Sequence, residues 1–156
     1  MTAEFPGGTP DELELYLRWL AFLRGAVLRK ASGVTDEQAR WRPDGRLLPL
    51  IGIVNHLTGV ERRWVDGQMR GGPVDKPADE YTPGASLTVA AALAAYRDRA
   101  DRTDRAVRSI GDLSTPSRYG HGTDLRFVLL HLINETARHA GHADAVRELL
   151  DGTVGE

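Results

Sequence analysis

The chain of 156 residues contains no cysteine. This absence excludes disulfide bonds and cysteine-ligated zinc, and it excludes a protein thiol as a nucleophile. If the protein carries out thiol chemistry, the thiol must therefore be a cosubstrate.

The sequence also lacks a surplus of charge of either sign. It has 20 basic and 22 acidic residues, a formal net charge of −2, and no run of basic residues. We therefore expect neither a nucleic-acid partner nor binding to an anionic membrane. No stretch of about 20 uncharged apolar residues could span a bilayer, and there is no secretory-type leader. The default prediction is a cytoplasmic location.

What is present is typical of one folded unit. Hydrophobic residues make up 41% of the chain and charged residues 27%, both close to the average for globular proteins. The length is that of one domain with a sizeable core. We therefore predict a single domain over residues 1–156.

Four long stretches repeat apolar residues at helical spacing, and no stretch is typical of a strand. Thr9, Ser86 and Thr123 are the predicted caps of the first, third and fourth helices. Thr35 and Gln38 form a capping-box pattern for a short helical turn after the first helix. The predicted long helices cover residues 10–31, 48–70, 87–110 and 124–151. This pattern predicts an all-α fold, a four-helix bundle.

The fourth predicted helix contains three of the five histidines. At about 100° per residue, His131, Glu135, His139 and His142 share one stripe. Glu135 and His139 are four residues apart, so their Cβ atoms lie about 6 Å apart and both side chains can reach one ion. Such pairs also occur on solvated helix surfaces. Because apolar residues border this stripe, we interpret it as part of a metal or catalytic site.

A further ligand must come from another helix, and His56 on the second helix is the candidate. Gly52 and Gly59 share its helical face. Glycine within a helix costs up to about 1 kcal/mol relative to alanine, so two on one face need a reason. Either they allow close helix packing, or they leave space for a metal and its ligand. The remaining histidine, His121, lies in a glycine-containing loop and is interpreted as solvated.

His56, Glu135 and His139 would form a two-histidine, one-carboxylate set, which is typical of catalytic zinc sites with an open fourth position. Spacing alone leaves two other sets open. His142 could replace or join Glu135, and His131 could ligate one turn earlier. Zinc is the predicted metal because of its preference for nitrogen and oxygen ligands, although nickel, cobalt, manganese or iron suit similar ligands.

Two segments carry a family resemblance: WRPDGRLLPLIGIVNHLTGVERRWVDG and LRFVLLHLINETARHAGHADAVRELLDG. They resemble the two signature blocks of the DinB superfamily, in the branch similar to mycothiol-dependent enzymes. The resemblance implies up-down-down-up connectivity, one divalent metal and frequently a dimer. The commonest pattern has histidine at both ligand positions of the last helix. Here the earlier is Glu135, as in mycothiol-dependent maleylpyruvate isomerase, which implies His56, Glu135 and His139 as ligands and His142 as their neighbour.

The function implied by this resemblance is that of a metal-dependent mycothiol S-transferase or isomerase. The metal would activate a small thiol, and the thiolate would attack an electrophile; both are small-molecule partners, and a homodimer is expected. One alternative is a metal-dependent hydrolase, in which metal-bound water is the nucleophile and His142 or His131 moves the proton. A second is a non-enzymatic, stress-related metal-binding bundle. We predict His142 as the catalytic residue.

Overall fold

The computed structural model describes residues 5–120 and 122–155, so His121 lies outside the described residues. Within these ranges the structure contains helices and an isolated antiparallel bridge between Pro116 and Asp124, and no strand. The all-α prediction is confirmed. No described helix is long and apolar enough to cross a bilayer. The helices are α1 (Glu12–Ala31), α2 (Asp36–Arg40), α3 (Leu50–Glu61), α4 (Val89–Ile110) and α5 (Leu125–Asp151).

Three helix caps differ from the prediction. The predicted caps Thr9, Ser86 and Thr123 are wrong, and the caps observed are Asp11, Thr88 and Asp124. Each observed cap accepts a hydrogen bond from the backbone N–H three residues further on, at 2.9–3.1 Å. At each of the three helix starts, the predicted and the observed cap lie within two positions of each other, and both are residue types that cap helices. The backbone geometry therefore determines which of the two accepts the hydrogen bond. The predicted capping box of Thr35 and Gln38 is present.

The second predicted helix has two parts. It begins at Leu50, directly after Pro49 in an extended conformation and slightly later than the predicted start near Leu48. After Glu61 it continues directly as a π-helical segment, Arg62–Met69. Segments of this kind are rare and are frequent at functional sites. Val65, Gly67 and Met69 are its buried residues.

Among the described residues, the buried apolar side chains form two clusters. α1 packs along α5, and α3 packs along both α4 and α5. Ile53, Val54 and Tyr96 belong to the first cluster, and Leu20 and Leu129 belong to the second. Each cluster draws on α1, α4, α5 and the second predicted helix, which includes the π-helical segment. These four long elements therefore share one core.

A charged network is buried among these helices. Arg24 of α1 donates two hydrogen bonds to Glu61 of α3, each 2.8 Å long, and a third of 2.8 Å to Asp104 of α4. The Arg24 and Glu61 side chains are almost fully buried. A buried charge is tolerated only when it is paired and hydrogen-bonded. The network therefore ties α1 to both α3 and α4.

The segment 71–88 returns along α3 toward the start of that helix. Tyr81 lies against Gly52 and the Glu80 carboxylate lies against Gly59. Asn55 donates a hydrogen bond to the Glu80 carbonyl oxygen at 2.8 Å. The two helical glycines therefore admit this connecting segment. The alternative that they leave space for a metal and its ligand is wrong, and so is packing by another helix.

Candidate metal centre

α3 and α5 bring His56, Glu135 and His139 together. Each offers one ligating atom, and the three atoms lie within 4.8 Å of one another. Glu135 Oε2 is 3.4 Å from His56 Nε2 and 3.6 Å from His139 Nε2. Zinc bonds of about 2.0–2.1 Å in tetrahedral geometry separate two ligand atoms by about 3.3–3.5 Å. The two separations that involve Glu135 are therefore close to those that one small cation requires.

The two imidazoles are buried and the carboxylate is partly open to solvent. His56 is 4% exposed and His139 is 5% exposed, whereas the Glu135 side chain is 17% exposed. A cation held here would thus be reachable from the Glu135 side.

His139 is neutral at physiological pH. Burial is the main cause that lowers its pKa to about 4; the neighbouring His56 acts in the same direction, and the Glu135 charge offsets the two only in part. A neutral imidazole has a lone pair for a metal, and metal binding then displaces no proton from it. This site therefore suits a cation at neutral pH.

Glu80 is a member of this site that sequence reasoning missed. Its Oε1 lies 2.5 Å from His56 Nδ1, the ring nitrogen turned away from Glu135. Burial alone would raise the pKa of Glu80, but hydrogen bonds from Arg63 and His56 hold it below its usual value. Glu80 is therefore a carboxylate. It stands 24 residues from His56 in a connecting segment, where helical periodicity gives no signal.

Tyr81, the next residue, was also missed. Its ring packs on the His56 ring with centroids 4.4 Å apart. Its hydroxyl group lies 3.4 Å from His56 Nε2, the nitrogen that faces Glu135. Lys76 Nζ lies 4.3 Å from the centre of the tyrosine ring. The phenol therefore covers one side of the His56 ligand position.

The other two histidines of α5 lie beside this group. His142 Nδ1 is 3.3 Å from His139 Nδ1, whereas His139 Nε2 faces Glu135. The His131 ring packs on Trp64 at 4.3 Å between centroids. Of the three ligand sets left open by spacing, the geometry favours His56 with Glu135 and His139. No observation tests His142 as a catalytic residue, so that role stays a prediction.

These features define a class, namely helical proteins with a two-histidine, one-carboxylate candidate site for a divalent cation between two helices. The family model of mycothiol-S-transferases matches residues 15–152. The chain belongs to this family. The match confirms the resemblance to the DinB superfamily and its mycothiol-dependent branch.

Comparison with solved structures agrees on the fold. The chain is similar to a conserved protein from Enterococcus faecalis of known crystal structure, with a TM-score of 0.63 and 14% sequence identity. The alignment covers 93% of this chain and 100% of the other. At this identity the similarity shows the fold alone. No curated protein matches the chain.

Proposed function

We propose that the protein is a divalent-metal-dependent S-transferase or isomerase that uses mycothiol or a similar small thiol. The observation that carries the proposal is the spacing of His56, Glu135 and His139, in a chain of the mycothiol-S-transferase family. The absence of cysteine is consistent with it, because the thiol is then the cosubstrate.

The three residues suit a cation of the zinc type. Two neutral imidazoles and one carboxylate carry a formal charge of −1, so a divalent cation would keep a net charge of about +1. When bound, such a cation lowers the pKa of a coordinating thiol and favours the nucleophilic thiolate. Zinc is the metal we propose, with nickel as the alternative.

The neighbouring side chains have roles that do not depend on the metal's identity. The Tyr81 ring shields His56 from water on one face, and its hydroxyl can donate a hydrogen bond to a substrate group beside Nε2. We propose that His142, in contact with Nδ1 of His139, fixes the tautomer of that ring and exchanges protons with solvent. This proposal gives a specific form to the predicted catalytic role of His142.

The architecture is part of the same proposal: a single domain with up-down-down-up connectivity. Glu12 near the start of α1 pairs with Arg126 near the start of α5, and Lys30 near the end of α1 pairs with Asp144 in the second half of α5. These two ion pairs support the same direction for α1 and α5. In contrast, the first residues of α3 lie in the same apolar cluster as the last residues of α1, which supports opposite directions for these two helices. A homodimer and a cytoplasmic location are further expectations of the proposal.

Elemental analysis of the purified protein beside His56→Ala, Glu135→Ala and His139→Ala tests the site. We expect bound metal in the wild type and its loss in each variant. The activity test is consumption of mycothiol with a generic electrophile in the presence of metal. Consumption no faster than background would contradict the proposal. Ester or amide turnover without thiol would instead favour a hydrolase, and a melting temperature unchanged by zinc or nickel would favour a non-enzymatic bundle.

A further inference from the structure

The contact between His56 and Glu80 determines which nitrogen of the imidazole faces the site. Arg63 donates to both carboxylate oxygens of Glu80, and a carboxylate held in this ion pair can only accept hydrogen bonds. Nδ1 of His56, 2.5 Å from Glu80 Oε1, must therefore carry the proton when the ring is neutral. Nε2, which faces Glu135, is left with its lone pair. The carboxylate thus selects the tautomer that can bind a cation.

Glu80 is itself held from several directions. Arg63 donates hydrogen bonds to both of its carboxylate oxygens, one of them 3.0 Å long. Asn55 binds its backbone carbonyl group. The side chain of Glu80 is 3% exposed, and Gly59 provides the room in which the carboxylate lies. This arrangement leaves the carboxylate little freedom to turn away from His56.

We propose that Glu80, anchored by Arg63, is a positioning residue of the metal centre, which fixes the orientation and tautomer of His56 and so determines the affinity for the cation. The inference rests on the proposed metal site. Outer carboxylate partners of ligating histidines typically contribute 10- to 100-fold to metal affinity. Glu80 acts through His56 and does not itself ligate.

The first test is zinc affinity of the metal-free full-length chain, measured by competition with a chromophoric chelator. Glu80→Gln should raise the Kd for zinc by about 10- to 100-fold. Asp79→Asn is the matched control, because Asp79 is the exposed neighbouring carboxylate, and its Kd should equal that of the wild type. The visible absorption of bound cobalt(II) should also change in Glu80→Gln and stay unchanged in Asp79→Asn.

The second test displaces Glu80 without removing any polar group. A Cβ atom at Gly59 would lie 2.5 Å from Glu80 Oε2 and 2.8 Å from Arg63 Nη1. Gly59→Ala should therefore move the carboxylate away from His56 and raise the Kd for zinc. Gly141→Ala on α5 is the control, because a Cβ atom there meets nothing within 4 Å. If Glu80→Gln fails to fold, the result for Gly59→Ala decides.

The outcomes separate the two proposals. A wild-type chain that binds no zinc would end the proposed function and this inference with it. If the wild type binds zinc and folded Glu80→Gln binds it with the same Kd, the positioning role is overturned and the metal site remains. If Glu80→Gln does not fold, an unchanged Kd in Gly59→Ala has the same meaning. A purely structural role would lower the melting temperature of the metal-free variants without changing the Kd of the folded protein.

Discussion

A Cβ atom at Gly52 would overlap the backbone carbonyl oxygen of Tyr81. The obstacle is backbone and not the flexible end of a side chain, so it cannot rotate away. α3 therefore keeps a glycine in its first turns despite a cost of up to about 1 kcal/mol in helix propensity. In return, Tyr81 is held with its ring on His56.

Replacement of Gly52 by alanine should lower the free energy of unfolding by about 1–3 kcal/mol, because overpacking outweighs the gain in helix propensity. Urea denaturation monitored by circular dichroism measures this change. Gly141→Ala, which meets no neighbour, should be neutral or stabilising by up to about 1 kcal/mol. A Gly52→Ala protein as stable as the wild type would show that segment 71–88 does not pack on α3 in solution.

The buried ion pair should be sensitive to loss of one partner. Glu61→Gln leaves Arg24 buried with Asp104 as its remaining carboxylate partner among the described contacts. Breaking a buried pair costs about 3–5 kcal/mol, and we expect the lower end because Asp104 remains. Equilibrium denaturation measures the loss. The double variant Arg24→Met with Glu61→Leu should recover at least half of it; no recovery would show that the pair stabilises more than its hydrophobic replacement.

Stability of the metal-free protein should depend on pH through His139. Burial, together with the neighbouring His56, lowers the pKa of this imidazole from 6.5 to about 4. The unfolded chain therefore takes up this proton at a higher pH than the folded chain does. The contribution of neutral His139 to the free energy of unfolding is complete above about pH 6.5 and is lost as the pH falls toward 4. His56, Glu135 and His142 face this group.

Urea denaturation at several pH values between about 7 and 4.5 measures this dependence. In His139→Gln the decrease in unfolding free energy toward low pH should be smaller than in the wild type. It should not vanish, because burial also lowers the pKa of His131. An equal slope in the two proteins would contradict the assignment.

Zinc should stabilise the folded chain. A ligand that binds only the native state adds about 2.7 kcal/mol at a concentration of 100 times its Kd. Thermal melting with and without zinc measures the effect, which His56→Ala should abolish. His131→Ala is the control: it should retain the zinc-dependent increase, because His131 packs on Trp64 outside the ligand group. Loss of the increase in both variants would contradict the proposed ligand set.

Removal of the Tyr81 hydroxyl should slow thiol transfer and leave metal binding intact. A hydrogen bond to a charged group is worth about 1.5–3 kcal/mol, which corresponds to roughly a 10- to 150-fold decrease in kcat/KM for Tyr81→Phe. The zinc Kd should not change, because the ring remains on His56. Tyr16→Phe, whose hydroxyl binds Glu12 on α1, is the control. Full activity in Tyr81→Phe would exclude a role for the hydroxyl in the reaction.

The parts of the site that local geometry governs could be predicted from the sequence. Glu135 and His139 lie one helical turn apart, so their proximity depends only on α5 being a helix. To predict that His56 belongs to the site, one must also infer that α3 packs on α5. The repeat of apolar residues and the family resemblance both supported that inference. The structure brings all three together.

Glu80 and Tyr81 could not be predicted in the same way. They belong to a connecting segment, whose path depends on contacts with residues distant in sequence and not on a repeat. Two glycines on the face of His56 were a signal that something approaches closely, but they did not identify what. The π-helical segment Arg62–Met69 was missed because its apolar residues still fit ordinary helical spacing.

Connecting segments are usually where related chains gain and lose residues. The length of segment 71–88 is constrained, because the segment packs against Gly67 near its start and against Gly52 further on. Glu80 lies between these two contacts and is in contact with His56. An inserted residue would shift the carboxylate relative to the imidazole. Among related proteins with this centre, length variation should therefore fall in the connection 111–124, while the path over α3 keeps a constant number of residues.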